Sequence, residues 1–253
     1  MQPPFRGQPV PFAIAHRGGD EVAPGNTEAA FQHAVSLGYR FLETDVQVTV
    51  DGEHAVFHDE TVTAVTGAVG TIGERTWRQV QELRVGGEHP IPRFADIVAR
   101  FPDIAFNVEP KNDASVQPLI DYVLGEGLTD RICIGSFSDD RIARVRAGLG
   151  DEACTSPGPK GAAAVLARAL LGSRAQSVHT ALQIPMSFGG APVANRWLID
   201  RYQRQGLQVH VWTVNDEADM RRLLDAGVDA IMTDKVTVLR DVLVERGDWP
   251  ATV

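Results

Sequence analysis

The chain repeats one pattern from end to end: a short apolar run of strand type, a turn, then a segment with helical spacing. Strand-like runs stand at Pro11–His16, Phe41–Val48, Ile104–Glu109, Arg131–Gly135, Ala153–Ser156, Val178–Ile184, Leu207–Val214 and Ala230–Thr233. Helix signals fill the spaces between. Asn26-Thr27 caps the first, which ends at Gly38, and others lie near Phe94–Arg100, over Ala114–Glu126 and after a Ser138 cap. Gly161–Leu171, Asn195–Gln205, Asp216–Ala226 under an Asn215 cap, and a last helix to about Glu245 complete the series. Strands joined through helices must pair in parallel, because a parallel crossover needs a long connection. Eight such units predict an α/β fold of the (β/α)8 TIM-barrel type. A doubly wound open sheet is the alternative, but no Gly-x-Gly-x-x-Gly fingerprint follows any strand. Residues 60–92 break the rhythm. They are rich in Gly and Thr, with one short helix at Thr76–Gln79 where Thr and Gln stand at capping-box spacing. They read as a small insertion after the second strand, too small to bury a core of their own, within one barrel domain over residues 1–253.

The second strand contains the chemistry. Side chains alternate along a strand, so Glu43 and Asp45 share one face while Leu42, Thr44 and Val46 take the other. Two carboxylates side by side in an apolar element are costly without a cation or hydrogen bonds. An edge strand with both acids in water would avoid that cost. The flanking Leu42, Val46, Val48 and Val56 favour burial instead, and with it one half of a metal site. In a barrel the chemistry belongs at the C-terminal ends of the strands. There the first strand ends in His16-Arg17, the second in Glu43 and Asp45, the segment beyond the Asp51-Gly52 turn in His58, and the next strand in Glu109-Pro110-Lys111. Three carboxylates, with no Cys and no His pair at helical spacing, select a hard cation such as Mg2+, Ca2+ or Mn2+ over zinc. Without a cation the acids are expected to repel one another. Arg17 and Lys111 are suited to the remaining charge of a phosphate. His16 and His58 titrate near neutrality, as a general base and a general acid must.

A net charge of −9 argues against a nucleic-acid partner, and an anionic substrate would have to be drawn in by local charge. There is no apolar run of about twenty residues, so no transmembrane segment is expected. Met1 to Gly7 carries one Arg and no apolar stretch, which excludes a signal peptide there. Cys133 and Cys154 lack metal-type spacing and read as buried thiols in a reducing compartment, with a bridge as the alternative. Together these features point to a cytoplasmic protein. His33, His54, His89 and His179 read as structural. His210 shares a face with Trp212 and could reach a pocket by alternation. The apolar loop Gln183–Gly190 either walls the alcohol side of a substrate or is structural.

His16-Arg17-Gly18, Pro24-Gly25-Asn26-Thr27, Glu43-Thr44-Asp45-Val46, Thr49-Val50-Asp51-Gly52 and His58-Asp59 resemble the signature of glycerophosphodiester phosphodiesterases. The resemblance continues in order through Ile91-Pro92, Val108-Glu109-Pro110-Lys111, Ser136-Phe137, Val211-Trp212-Thr213-Val214-Asn215 and Thr233-Asp234. It implies a TIM-type barrel with a small insertion after the second strand. It implies a divalent ion, Mg2+ or Ca2+, held by Glu43, Asp45 and Glu109, catalysis by His16 and His58, and phosphate contact by Arg17 and Lys111. Trp212 matches a tryptophan of the family that lines the substrate pocket, and plain barrel packing is its alternative role. The implied reaction splits a small-molecule glycerophosphodiester into glycerol 3-phosphate and an alcohol. A sister activity of the same superfamily cleaves a lysolipid, as a phospholipase D does, to a cyclic phosphate; no membrane-docking helix supports it. A silent barrel that binds metal or phosphorylated ligands would have no need of an acid–base pair. The chain departs from the pattern at Gly25, where the family has Glu. Pro24-Gly25 fits a type II turn with Gly25 at positive φ, and Asp20 or Glu21 could replace the missing acid.

Overall fold

The structure is a computed structural model that describes residues 4, 5, 7–151 and 153–249. The reading of Met1–Gly7 therefore falls partly outside the described residues. Eight strands alternate with eight helices: β1 Phe12–Ala15, α1 Glu28–Ser36, β2 Phe41–Val48, α2 Phe94–Arg100, β3 Ala105–Pro110 and α3 Val116–Gly125 form the first part. β4 Ile132–Ile134, α4 Asp139–Leu149, β5 Cys154–Thr155, α5 Pro159–Leu170, β6 Ala181–Ile184, α6 Arg196–Gln203, β7 Gln208–Val211, α7 Glu217–Ala226, β8 Ala230–Thr233 and α8 Val236–Arg246 follow. The strands run parallel in the order β5-β4-β3-β2-β1-β8-β7-β6. The two ends of that order meet where the Thr180 N–H donates to the Thr155 carbonyl at 3.0 Å. The result is the expected (β/α)8 barrel, nearly closed, and the doubly wound alternative is excluded.

Strand alternation produces two apolar layers. Leu42, Val46, Phe106 and Val108 face outward and are buried under the helices. Phe12, Ile14, Phe41, Cys133, Cys154, Ala230 and Met232 fill the inside, and Phe5 from the N-terminal segment plugs it. Cys133 and Cys154 are cross-strand partners, both buried and both free. His210 belongs to this lower layer, packed edge-on against Phe5 and Phe12 at centroid distances of 4.8 and 5.4 Å. It does not reach the mouth. It shares a face with Trp212 but lies two residues earlier, about 7 Å deeper along the strand. Among the described residues no helix is long and apolar enough to cross a membrane.

Two local expectations change. Asn215 does not cap α7: Asp216 does, accepting the Asp219 N–H at 3.1 Å. The stretch between β2 and α2 buries more than its length suggested. Its capping-box helix forms at Trp77–Val80. That helix, a turn at Ile72–Glu74 and a two-residue strand pair (Arg84–Val85 with His89–Pro90) close over Val62, Ile72, Val80, Val85 and Ile91. These side chains join Ala55 and Phe57 in a separate small cluster, because the antiparallel segment His54–Val56 on β2 gives them an apolar surface to close on.

Candidate active site

The C-terminal end of β2 is where the site is built. Glu43, Asp45 and Gln47 share its inward face and are buried. Asp45 lies in register with Glu109 of β3, and Glu43 with Asn107. The carboxylates are partly compensated, although they still repel one another. Asp45 accepts from Asn26 Nδ2 at 2.9 Å and lies 3.3 Å from Arg17 Nε and 3.5 Å from Lys111 Nζ. Lys111 also reaches Glu109 at 3.3 Å. Glu43 accepts the backbone N–H of Arg17 at 3.0 Å. Burial still pushes Glu43 up to about 7, with Asp45 adding to the shift. Burial likewise raises Glu109, with Lys111 opposing and Asp45 reinforcing it. Local cations thus balance only part of the buried negative charge.

The loop between β1 and α1 carries His16, Arg17 and Asn26 into this cluster. Arg17 and Asn26 are its two non-glycine residues at positive φ, 54° and 62°. Asn26 is therefore the left-handed residue of the Pro24–Thr27 turn, and Gly25 is not. What Gly25 supplies is space: a Cβ there would lie 2.9 Å from Arg17 Cβ. Asn26 uses both ends of its amide, since its Oδ1 accepts from Thr44 Oγ1 at 2.9 Å. Thr27 then caps α1 through the Ala30 N–H. Neither Asp20 nor Glu21 replaces the missing acid, because both are engaged on the last βα unit. Asp20 pairs with Lys235 at 2.8 Å, and Glu21 accepts from the Thr237 N–H and hydroxyl.

His16 follows β1 and presents Nε2 3.8 Å from Glu43 Oε2. Its Nδ1 lies 2.6 Å from Asp234 Oδ1, beyond β8. Burial lowers its pKa, but Glu43 and then Asp234 outweigh that and the net shift is upward. His58 stands just past Asp45, because the Phe57 N–H donates to the Asp45 carbonyl. Its Nδ1 meets Asp59 at 2.8 Å. Gln47 holds this corner through its amide, which donates to the Asp59 carbonyl at 2.7 Å and lies within 3.4 Å of those of Phe57 and His58. Trp212, partly buried, packs on the inner cluster and meets exposed Phe137 edge-on at 5.5 Å. Phe137 follows β4 and Trp212 follows β7, so the pair bridges the mouth above β5 and β6.

The fold therefore brings His16, Arg17, Glu43, Asp45, Glu109 and Lys111 together, with His58 beside them and Trp212 at the mouth. Among the described residues no three His, Cys, Asp or Glu side chains converge tightly enough to hold a metal ion as they stand; Arg17 and Lys111 lie against the acids. Sequence reasoning gave no site role to Asn26, Gln47, Asn215 or Asp234, although all but Gln47 stand in the motifs of the resemblance. Gln47 carried a signal, the same alternation that paired Glu43 with Asp45. Asp234 stood in the Thr233-Asp234 motif of the resemblance, but nothing in the sequence paired it with His16, 218 residues away.

The sequence profile of the Glycerophosphoryl diester phosphodiesterase family matches residues 16–238. The "Probable glycerophosphodiester phosphodiesterase 2" of Mycobacterium tuberculosis is 35% identical over 244 residues, 94% of this chain and 92% of that protein. A crystal structure from Silicibacter pomeroyi, of a protein bearing the family's name, superposes with a TM-score of 0.80 at 24% identity over 98% of both chains. An Oleispira antarctica phosphodiesterase solved in complex with the product sn-glycerol-3-phosphate superposes with a TM-score of 0.73 at 22% identity, over 93% of this chain and 97% of that one. A profile match across nearly the whole barrel, from His16 past Asp234, shows that the chain belongs to the glycerophosphoryl diester phosphodiesterase family of enzymes.

Proposed function

We propose that this chain, one barrel domain over residues 1–253, hydrolyses glycerophosphodiesters to glycerol 3-phosphate and the head-group alcohol. In this reading Glu43, Asp45 and Glu109 hold Mg2+ or Ca2+, and His16 and His58 move the protons. The observation that carries it is the buried acid pair of β2, in register with Glu109 and flanked by two cations and His16. The donor set fits a hard divalent ion: it offers oxygen only, and burial holds Glu43 near 7 for want of positive charge. When bound, such an ion supplies a Lewis acid to a phosphoryl oxygen. Arg17 and Lys111 would turn from the carboxylates to the phosphate. The buried Arg17 Nε–H lies 3.3 Å from Asp45 but makes no well-aligned hydrogen bond to it, so it is a donor that can be redirected. His16, as base, takes the proton of the attacking glycerol hydroxyl or water. His58, as acid, returns one to the departing alkoxide. The product found in the Oleispira antarctica structure supports this substrate class, and the paired free thiols support a cytoplasmic location.

Release of glycerol 3-phosphate from glycerophosphocholine tests the reading. Turnover is expected to stop with EDTA and to return with Mg2+ or Ca2+. No glycerol 3-phosphate from any head group with either ion would overturn it. The histidine roles separate by leaving group. His58→Ala should cost on the order of a hundredfold or more in kcat/KM on an alkyl diester and much less on a nitrophenyl diester. His16→Ala should lose similarly on both. Rescue of His16→Ala alone by the aryl group would reverse the assignment.

A further inference from the structure

Asp234 takes no part in the reaction as described, yet it makes the shortest contact of His16. We propose that Asp234, gripped by Asn215, is the positioning residue that sets the ring orientation and tautomer of His16. The inference rests on the reading of His16 as a catalytic base. A carboxylate accepts and does not donate, so the 2.6 Å contact places the ring hydrogen on Nδ1. In the neutral ring Nε2 then carries the free lone pair, on the side that faces Glu43, at 3.8 Å. With the other tautomer Nε2 would carry a hydrogen and could not take a proton from a hydroxyl.

The aspartate is itself held. Its second oxygen accepts from Asn215 Nδ2 at 2.8 Å. Asn215 Oδ1 accepts from the Asp234 N–H at 2.9 Å and from Thr233 Oγ1 at 3.1 Å. Among the described residues the Asn215 side-chain hydrogen bonds therefore all go to the Thr233-Asp234 corner, while the neighbouring Asp216 caps the helix. The loop that bears His16 is fastened to the same corner. The Asp20 N–H donates to the Asp234 carbonyl at 3.2 Å, and Lys235 pairs with Asp20. Asp234 and His16 are thus fixed relative to each other through backbone as well as side chains.

A residue that acts through His16 should lose its effect once His16 is gone. The experiment measures kcat and KM on one alkyl diester, with melting curves, for Asp234→Asn and Asn215→Ala in the wild-type and His16→Ala backgrounds. Asp234→Asn is expected to lower kcat about a hundredfold with KM little changed, because the amide can drive the hydrogen to Nε2. Asn215→Ala should lose about tenfold, having removed one hydrogen bond to a charged group. On His16→Ala neither change should cost more than about twofold. Wild-type kcat in Asp234→Asn overturns the proposal. So does a loss that multiplies in full on His16→Ala, or one that follows the melting temperature. His16→Ala with wild-type activity would instead sink the assignment of His16 itself, and the positioning role with it.

Discussion

Arg17 and Asn26 sit in the left-handed region although neither is glycine, and both aim polar groups at the acids of β2. Such backbone costs roughly 1–2 kcal/mol per residue and persists where the surroundings over-determine it. Here the surroundings do: the Asn26 N–H donates to the Arg17 carbonyl at 2.8 Å, so each fixes the other. Gly25 lies between them, with Arg17 Cβ and Cδ only 2.9 and 3.6 Å from where its own Cβ would be. Gly25→Glu is therefore expected to displace Arg17 and, through the phosphate contact proposed for it, to raise KM about tenfold, the worth of one hydrogen bond to a charged group. The melting temperature should fall as well: no positive φ is lost at this position, but a Cβ 2.9 Å from Arg17 Cβ forces the Arg17 backbone to shift. Steady-state kinetics beside a melting curve check it. A lower KM would mean that the new carboxylate joins the site.

At the scale of the element, β2 organises more than its two acids. Gln47, two residues past Asp45 on the same face, holds the carbonyls of the His58 corner. Gln47→Leu should leave the barrel folded and lower kcat about tenfold or more by freeing His58; unchanged kcat would mean that the corner holds itself. β2 was legible to its end residues because eight alternating positions leave one way to pair, and α2 because its apolar spacing is unbroken. The weakest strand read, Ala153–Ser156, shrinks to Cys154–Thr155, since two residues suffice between neighbours already paired. What was not legible is tertiary. Asn215 has the residue type of a cap and the sequence position of one, but its amide is drawn to Asp234 and Thr233. His16 and Asp234 meet only because the ring closes. No window of sequence contains both.

At the scale of the whole molecule, a histidine at the centre of the barrel makes stability depend on pH. Burial pushes His210 down to about 3 from an ordinary value of 6.5, and His179, half-buried, falls to about 4. The unfolded chain takes up a proton on His210 near 6.5 while the folded chain refuses it until about 3. The contribution is thus present above pH 6.5 and is lost progressively as pH falls towards 3. At pH 5 the loss from this residue is about 2 kcal/mol. His210→Phe, which keeps an aromatic ring against Phe5 and Phe12, should show a flatter fall in melting temperature between pH 7 and pH 5 than the wild type. Parallel slopes would mean that His210 is not the acid-sensitive group. The seam between the first and last strands has a consequence in time. His16 leaves the ribosome 218 residues before Asp234, a delay on the order of ten seconds or more at ordinary rates of synthesis. Through that interval β1 lacks its β8 neighbour and the loop that bears His16 lacks Asp234, Lys235 and Thr237 to hold it. The emerging chain is therefore expected to turn over no substrate until its final strand arrives. Activity appearing during translation would therefore report ring closure itself, with a lag set by the last βα unit.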